Sequence, residues 1–301
     1  MQSTDTRSGF VVLLGRPSSG KSSLMNAVCG HHVSIISPVP QTTRNVIRGI
    51  VTDPRGQIIF LDTPGLHRSE KQINLRLREV ALQHLEDAEA AVYLVDATRH
   101  PGDEERDLAA VIAEHDLPVV VGITKCDLPT ADIPRARRFL NEAGFGDFTT
   151  VELSGLPEEL KDRRRGVGTL LDRLFLLLPE GPAWYPEEFY TDQEPMFRIA
   201  EVIREQAILR ARQELPHALY VEIADLEQRE DTLWARAFIL VERESQQGIV
   251  VGQNGRTVTA IRKDSERVLA ELFPTPVRLS LQVKVKPRWR HDEALLKRLI
   301  Q

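Results

Sequence analysis

The stretch Gly15-Arg16-Pro17-Ser18-Ser19-Gly20-Lys21-Ser22 constrains this chain more than any other, because it fills the pattern G-x-x-x-x-G-K-[ST] at every fixed position. An apolar run, Phe10 to Leu14, precedes it, and a helix-like segment from Ser23 to Val28 follows. The glycines let the backbone curl until successive N–H groups face one anion, and the helix start adds its positive dipole end. In that geometry Lys21 reaches the β- and γ-phosphates of a nucleotide, and the Ser22 hydroxyl sits on a magnesium ion. Gly15, Ser18, Ser19, Gly20, Lys21, Ser22 and Ser23 are therefore the expected nucleotide contacts. An ordinary strand-turn-helix with a surface lysine is the alternative, and the fixed positions in this strand-to-helix context weigh against it.

A chain of 301 residues is long enough for two domains. No apolar run approaches the ~20 residues needed to cross a bilayer, and the first residues lack the apolar core of a signal peptide, so a cytoplasmic protein is expected. Cys29 and Cys126 have no metal-ligand spacing and are expected to be buried, reduced thiols. The net charge of −5 hides an asymmetry. Residues 1–195 hold 21 Lys and Arg against 29 Asp and Glu, whereas residues 196–301 hold 18 against 15. Two halves with different partners follow from that split.

From residue 10 to about 178, near-continuous apolar runs alternate with segments of helical period. The runs at Phe10 to Leu14, Val46 to Val51, Ile58 to Leu61, Ala90 to Val95, Val119 to Ile123 and Thr149 to Leu153 predict strands. Ile73 to Glu86, Glu104 to Glu114, Arg135 to Ala143 and Val167 to Leu178 predict helices. This pattern is that of an α/β phosphate-loop domain over residues 1–180, with a mostly parallel sheet covered on both faces. In such sheets the ligand lies at the carboxyl ends of the strands.

The next motifs fall at those ends. Asp62-Thr63-Pro64-Gly65 closes the third run, where Asp62 can hold magnesium through a water and the Gly65 amide can approach a γ-phosphate. Thr124-Lys125-Cys126-Asp127 closes the fifth. The Asp127 carboxylate is an acceptor pair that matches the N1–H and N2 amine of guanine and finds no such donors on adenine. Lys125 would lay its stem against base and ribose, and a backbone amide at Ser154-Gly155 would face the guanine O6. In the polar loop His31 to Arg44, a threonine hydroxyl can reach the magnesium; Thr43 is the choice and Thr42 the reserve. Lys21, Thr43 and Gly65 are thus the groups expected around the reacting phosphate, and Ser22, Thr43 and Asp62 around the metal.

The order GRPSSGKS, QTTR, DTPG, TKCD, SG resembles the GTP-binding domain of the translation-factor-like GTPases, and QTTR with DTPGLH is most similar to the Era branch. The resemblance implies GTP hydrolysis, with GTP or GDP and Mg2+ bound. Family members usually have Asn where Ser18 stands, a residue linked to potassium-assisted hydrolysis, so this departure bears on whether K+ takes part. Thr124 replaces the usual Asn and is expected to loosen the hydrogen bonds between loops while leaving Asp127 intact; Gly155 replaces Ala. Leu66 stands where small signalling GTPases keep a water-orienting glutamine, and a leucine cannot hydrogen-bond water, so slow intrinsic turnover is expected. His67 reads as a solvated histidine, and Arg163-Arg164-Arg165 as a charged surface without an assigned ligand.

Pro179, Pro182, Pro186 and Pro195, with five carboxylates between them, exclude a regular helix and mark residues 181–195 as a linker. Residues 196–301 then read as helix, strand, strand, helix, Gly252-Gln253-Asn254-Gly255, helix through Leu272, and the strand Val277 to Val285. A G-x-x-G loop carrying Gln253, Asn254 and Arg256 between two such elements is the arrangement that clamps a single-stranded backbone. Lys284, Lys286, Arg288 and Arg290 surround Trp289, which offers either a stacking face among cations or a cap over the domain's core. The order resembles the type II KH domain that closes Era proteins, and ILVERESQQGIVVGQNGRTVTAIR followed by VKVKPRW matches that ending closely. The resemblance implies binding to single-stranded 16S-type ribosomal RNA near its 3′ end during small-subunit assembly, by a monomer with some peripheral membrane association. A passive RNA scaffold and a GTPase of tRNA modification are the competing readings. The second often carries a carboxy-terminal cysteine, whereas this sequence ends Leu299-Ile300-Gln301.

Overall fold

The computed structural model describes residues 6–37, 45–63, 83–156, 164–210, 219–287 and 289. It divides into two compact units. One runs to Asp192; the other begins at Gln193 and also takes in residues 35–37.

In the first unit, β1 (Arg7–Gly15), β2 (Ile47–Asp53), β3 (Gly56–Asp62), β4 (Ala90–Asp96), β5 (Val119–Thr124) and β6 (Thr150–Glu152) form one sheet. Its order is β2-β3-β1-β4-β5-β6, with β2 and β3 antiparallel and every other pair parallel. All residues of β3, β4 and β5 are buried, which is why these strands run near-continuously apolar instead of alternating, apart from Gln57 and the polar carboxyl ends Asp62, Asp96 and Thr124. Among the described residues this unit includes α1 (Lys21–Cys29), α2 (Asp103–Ala113), α3 (Ile133–Glu142) and α4 (Val167–Leu177). Leu108, Ala109 and Ile112 of α2 and Ala136, Phe139 and Leu140 of α3 pack into one core with the strands. The helix expected at Ile73 to Glu86 lies mostly outside the described residues.

Residues 181–195, expected as a linker, are mostly packed on this unit. Ile50 N–H donates to Tyr190 O at 2.9 Å, and the Thr191 hydroxyl to Arg48 O at 2.8 Å. The Gln57 side chain accepts from the N–H groups of Trp184 and Tyr185 and donates to Tyr185 O. The reason lies in the sheet: β2 is an edge strand whose free backbone groups need partners, and an extended proline-rich segment supplies them without a helix. Both cysteines are unpaired and half-buried, and burial pushes their thiols up, Cys29 to about 12 and Cys126 to about 11.

The second unit holds α5 (Pro195–Arg210), β7 (Tyr220–Arg229), β8 (Thr232–Val241), α6 (Glu244–Val251), α7 (Arg256–Leu272) and β9 (Val277–Val285). The sheet order is β7-β8-β9, antiparallel then parallel. Ala235, Ala237, Ile239 and Val241 on β8 face Ile199, Val202 and Ile203 of α5 and Ile261 and Leu269 of α7. The alternate residues Trp234, Arg236 and Phe238 therefore lie on the other face, as period-two side chains require.

Candidate functional site

The phosphate loop is built between β1 and α1. Helix α1 starts at Lys21 behind Gly20, whose φ of 103° is a conformation that glycine adopts without strain and other residues do not. No side chain caps this helix start. Within the loop every carbonyl has a donor. Lys21 Nζ donates to Gly15 O at 2.9 Å and Arg16 O at 3.1 Å. Arg99 Nη1 reaches Pro17 O at 3.3 Å, Lys125 Nζ reaches Ser18 O at 2.9 Å, and the Thr124 hydroxyl reaches Ser19 O at 2.7 Å. In a trans peptide the N–H points opposite to the C=O. A loop whose carbonyls are held this way cannot turn them toward an anion, and its amides at the helix start are left to face one. Lys21 is only 6% exposed. Burial pushes its ammonium down, and the charges of Asp62 and Glu105 oppose that.

Threonine in place of asparagine at position 124 predicts a looser contact between loops. The Thr124 hydroxyl makes that contact directly with Ser19 O, so the link between the base-reading strand and the phosphate loop is retained. Ser18, the other departure, is exposed with φ 64°, and its carbonyl is held by Lys125.

At the carboxyl end of β3, Asp62 is fully buried and accepts from the Ser22 hydroxyl at 2.7 Å. The neighbouring Thr63 hydroxyl donates to Leu13 O of β1, which ties the strand end in place. A hydroxyl and a carboxylate side by side at a loop made for phosphates are the hard oxygen donors that magnesium takes, with phosphate oxygens and waters completing the set. Among the described residues no cluster of three or more His, Cys, Asp or Glu offers an all-protein metal cage. The donor set thus fits a magnesium brought with a nucleotide. Thr43 and Gly65, as well as Thr42, Leu66 and His67, lie outside the described residues.

A cavity of about 200 Å³ brings together the base-site residues from three distant stretches: Gly20 and Ser23, then Thr124, Lys125, Asp127 and Leu128, then Ser154, Gly155 and Leu156. Its walls are Leu128 and Leu156 with the Lys125 stem, a slot suited to a flat base, and Asp127 is the carboxylate in its lining. Sequence reasoning missed three groups that hold this slot. Asp96, buried at the end of β4, binds Lys125 Nζ at 2.6 Å and accepts from Thr98. Burial raises the Asp96 carboxyl, but the Lys125 and Thr98 hydrogen bonds outweigh it and hold the group below its usual range. Arg164 donates to Gly155 O and Ala27 O, both at 3.4 Å, so one arginine of the basic triplet steadies the loop after β6. Arg99 completes the set at Pro17. A carboxylate at a strand's C-terminal end was the one available signal.

In the second unit α6 ends at Gly252, whose φ is 72°; a Cβ there would come within 2.1 Å of Thr257 Oγ1. Asn254 and Gly255 also have positive φ, and α7 begins at Arg256. Gln253, Asn254 and Arg256 are exposed. The remaining nucleic-acid candidates lie on β9 and just after it. Val283 and Val285 face the core, so Lys284 between them points to the opposite sheet face, where its Nζ lies 3.1 Å from the Phe238 ring centroid. Lys286 N–H donates to Val241 O, which extends the sheet. Trp289 is 1% exposed and packs on Tyr220 with ring centroids 5.8 Å apart. Tyr220 alternates with core-facing Val221 on β7, so Trp289 is buried on the sheet face away from the α5 and α7 core, and its ring is not presented for stacking.

A family model described as a 50S ribosome-binding GTPase matches residues 10–125, and one for the KH domain matches residues 214–290. The GTPase Era of Borreliella burgdorferi is 42% identical over 98% of this chain and 99% of its own length. That of Treponema denticola is 43% identical over 97% and 99%. Among solved structures, a point variant of Aquifex aeolicus Era bound to GDP.AlF4- is similar with a TM-score of 0.90 and 29% identity, covering 98% of this chain and 99% of that one. Era in complex with MgGDPNP and nucleotides 1506–1542 of 16S ribosomal RNA gives a TM-score of 0.91 at 29% identity, covering 98% of each chain. A likeness of this extent in sequence, with both domain models matched in order, means that the chain belongs to the Era family of GTPases, enzymes that hydrolyse GTP.

Proposed function

We propose that this GTPase couples its nucleotide state to binding of single-stranded 16S-type ribosomal RNA near the 3′ end, in assembly of the small ribosomal subunit. The observation that carries the reading is the G-x-x-G turn at Gly252–Gly255, poised between α6 and α7, in a chain similar over its length to an Era bound to MgGDPNP and 16S nucleotides 1506–1542. Gln253, Asn254 and Arg256 are the exposed donors that would hold the RNA backbone. On the same reading the protein is a cytoplasmic monomer, peripheral to the membrane where it meets one. Among the described residues no helix is long and apolar enough to cross a bilayer.

In the GTP site, Lys21 binds the β- and γ-phosphates, while the loop amides with Gly15, Ser18 and Ser19 surround them. Ser22, Asp62 and Thr43 hold the magnesium, which supplies charge neutralisation at the phosphates when bound. The Gly65 amide meets the γ-phosphate. Asp127 reads the guanine N1–H and N2 amine, Lys125 packs along the base, and Ser154-Gly155 faces O6. Leu66 leaves no side chain to orient the attacking water, which makes turnover slow. Serine at position 18 has no carboxamide oxygen for a potassium ion, so K+ is not part of the proposed site.

Affinity for a non-hydrolysable GTP analogue is the test, measured with and without a single-stranded RNA of 16S 3′-end sequence. Coupling is reciprocal, so if GTP tightens RNA, RNA tightens the analogue by the same factor. Equal affinities would remove the coupling and leave a scaffold with a separate GTPase.

A further inference from the structure

Arg16 is the second residue of the phosphate loop, yet its side chain turns inward and the residue is 6% exposed. Its Nε lies 2.5 Å from Glu105 Oε2 on α2, a residue only 1% exposed. The other carboxylate oxygen, Oε1, accepts the Tyr93 hydroxyl of β4 at 2.8 Å, and Tyr93 is also fully buried. Neither Glu105 nor Tyr93 belongs to any motif of the nucleotide site.

We propose that Glu105 and Tyr93 are positioning residues for the phosphate loop, holding Arg16 and, through the Arg16 carbonyl, the Lys21 ammonium in the geometry that receives a polyphosphate. Three observations support this. The Arg16 carbonyl accepts both Lys21 Nζ and Ser19 N–H at 3.1 Å, so the peptide that the Arg16 side chain anchors is the pivot of the loop's first turn. A buried ion pair is a poor source of net stability, since apolar residues of similar volume commonly do as well or better, which leaves geometry as the reason to keep this one. Third, both oxygens of the Glu105 carboxylate have partners. Burial raises the Glu105 carboxyl above its usual range, and the Arg16 guanidinium and the Tyr93 hydroxyl limit that rise. The proposal rests on the phosphate-loop reading and extends it to two residues that touch no nucleotide.

The test uses the full chain and the release rate of a fluorescent GDP analogue, alongside the thermal midpoint. Wild type serves as the control on the reading itself, because a chain that binds no guanine nucleotide would fail there first. Arg16→Met and Glu105→Gln each leave a partner buried and uncompensated, so both are expected to lower the midpoint and speed release on the order of tenfold, an effect of about 1.4 kcal/mol. The double variant Arg16→Met/Glu105→Met removes both charges and is expected to recover the midpoint while release stays fast. Recovery of both the midpoint and the wild-type release rate would show a merely structural pair and overturn the proposal. Arg16→Lys decides the matter if the double variant does not fold. It keeps the charge opposite Glu105, so its release rate is expected between those of wild type and Arg16→Met, and equal rates for the Lys and Met variants would sink the idea. Tyr93→Phe leaves the pair intact and is expected to give the smallest change. In steady state the same variants should raise the KM for GTP and leave kcat within about threefold, the signature of lost ground-state binding.

Discussion

The two candidate ligand loops of this chain are built on opposite plans. Residues 15–20 are a turn whose every carbonyl from Gly15 to Ser19 is held by a donor from elsewhere in the unit, with Lys21 and Arg16 buried beneath it. Residues 252–255 put three positive-φ residues into four, and Gln253 and Asn254 stand in solvent. The first plan suits a compact polyanion whose charge needs fixed dipoles with no reorganisation on binding. The second suits a chain-like ligand that must be met along an edge, where backbone shape matters more than a fixed cage. Disturbing the first should therefore cost affinity steeply, and disturbing the second should cost less.

Lys21→Ala is the hardest blow to the first plan. It removes a buried cation that holds two loop carbonyls and would meet two phosphates, and truncating one member of a buried charge contact costs ~2–5 kcal/mol. A rise in GDP and GTP Kd of at least ~100-fold is expected by equilibrium titration. RNA affinity of the nucleotide-free chain should be unchanged. A parallel loss of RNA affinity without nucleotide would mean that the two loops do not act as separate sites.

Gly255→Asp addresses the second plan, and its choice over Gly252 follows from the structure. A Cβ at Gly252 strikes Thr257, so any substitution there also disturbs the start of α7. At Gly255 nothing lies within 4 Å, so the change adds a charge and left-handed strain of about 1–2 kcal/mol without a clash. RNA affinity by fluorescence anisotropy is expected to fall on the order of tenfold while GTP affinity holds. If RNA binding survives, the RNA contact lies on another surface of this unit.

The contrast between the plans also explains what could be read from the chain. Gly15 to Ser22, the run into Asp62 and the run into Asp127 announce themselves because each is a local pattern of strand, turn and polar end. Thr43 and Gly65 belong to patterns of the same local kind and lie outside the described residues. The braces are not local. The bonds from Asp96 to Lys125, Arg99 to Pro17 and Arg164 to Ala27 span 29, 82 and 137 positions, Glu105 acts through a salt bridge between an ordinary-looking helix and the loop, and no spacing rule connects them. Trp289 is ambiguous for a related reason: an aromatic among cations is equally a platform or a lid, and only its burial against Tyr220 decides. The prolines of 179–195 excluded a helix correctly, but they could not say that an edge strand was waiting for an extended partner.

The smallest expected effect tests whether the distant braces matter to the first plan at all. Asp96 holds Lys125, which holds Ser18 O, so the base-reading motif and the phosphate loop share one carboxylate. The Lys125 and Thr98 bonds outweigh burial and keep its folded-state pKa below the ordinary range, so the group binds fewer protons folded than unfolded. Its stabilising contribution is then present above the unfolded value of about 3.9 and is lost as pH falls through the folded value beneath it. Asp96→Asn should flatten the acid limb of the unfolding midpoint below pH ~4 and leave the neutral limb parallel to that of wild type. At neutral pH the amide still accepts from Thr98 but no longer pairs as a charge with Lys125, so GDP release should quicken by only about two- to threefold, as for a partly exposed ion pair. An unchanged acid limb would place the protonation elsewhere. A release rate as fast as that of Arg16→Met would mean that the loop is held as firmly from the base side as from beneath, and that the phosphate loop and the guanine slot are one preorganised body.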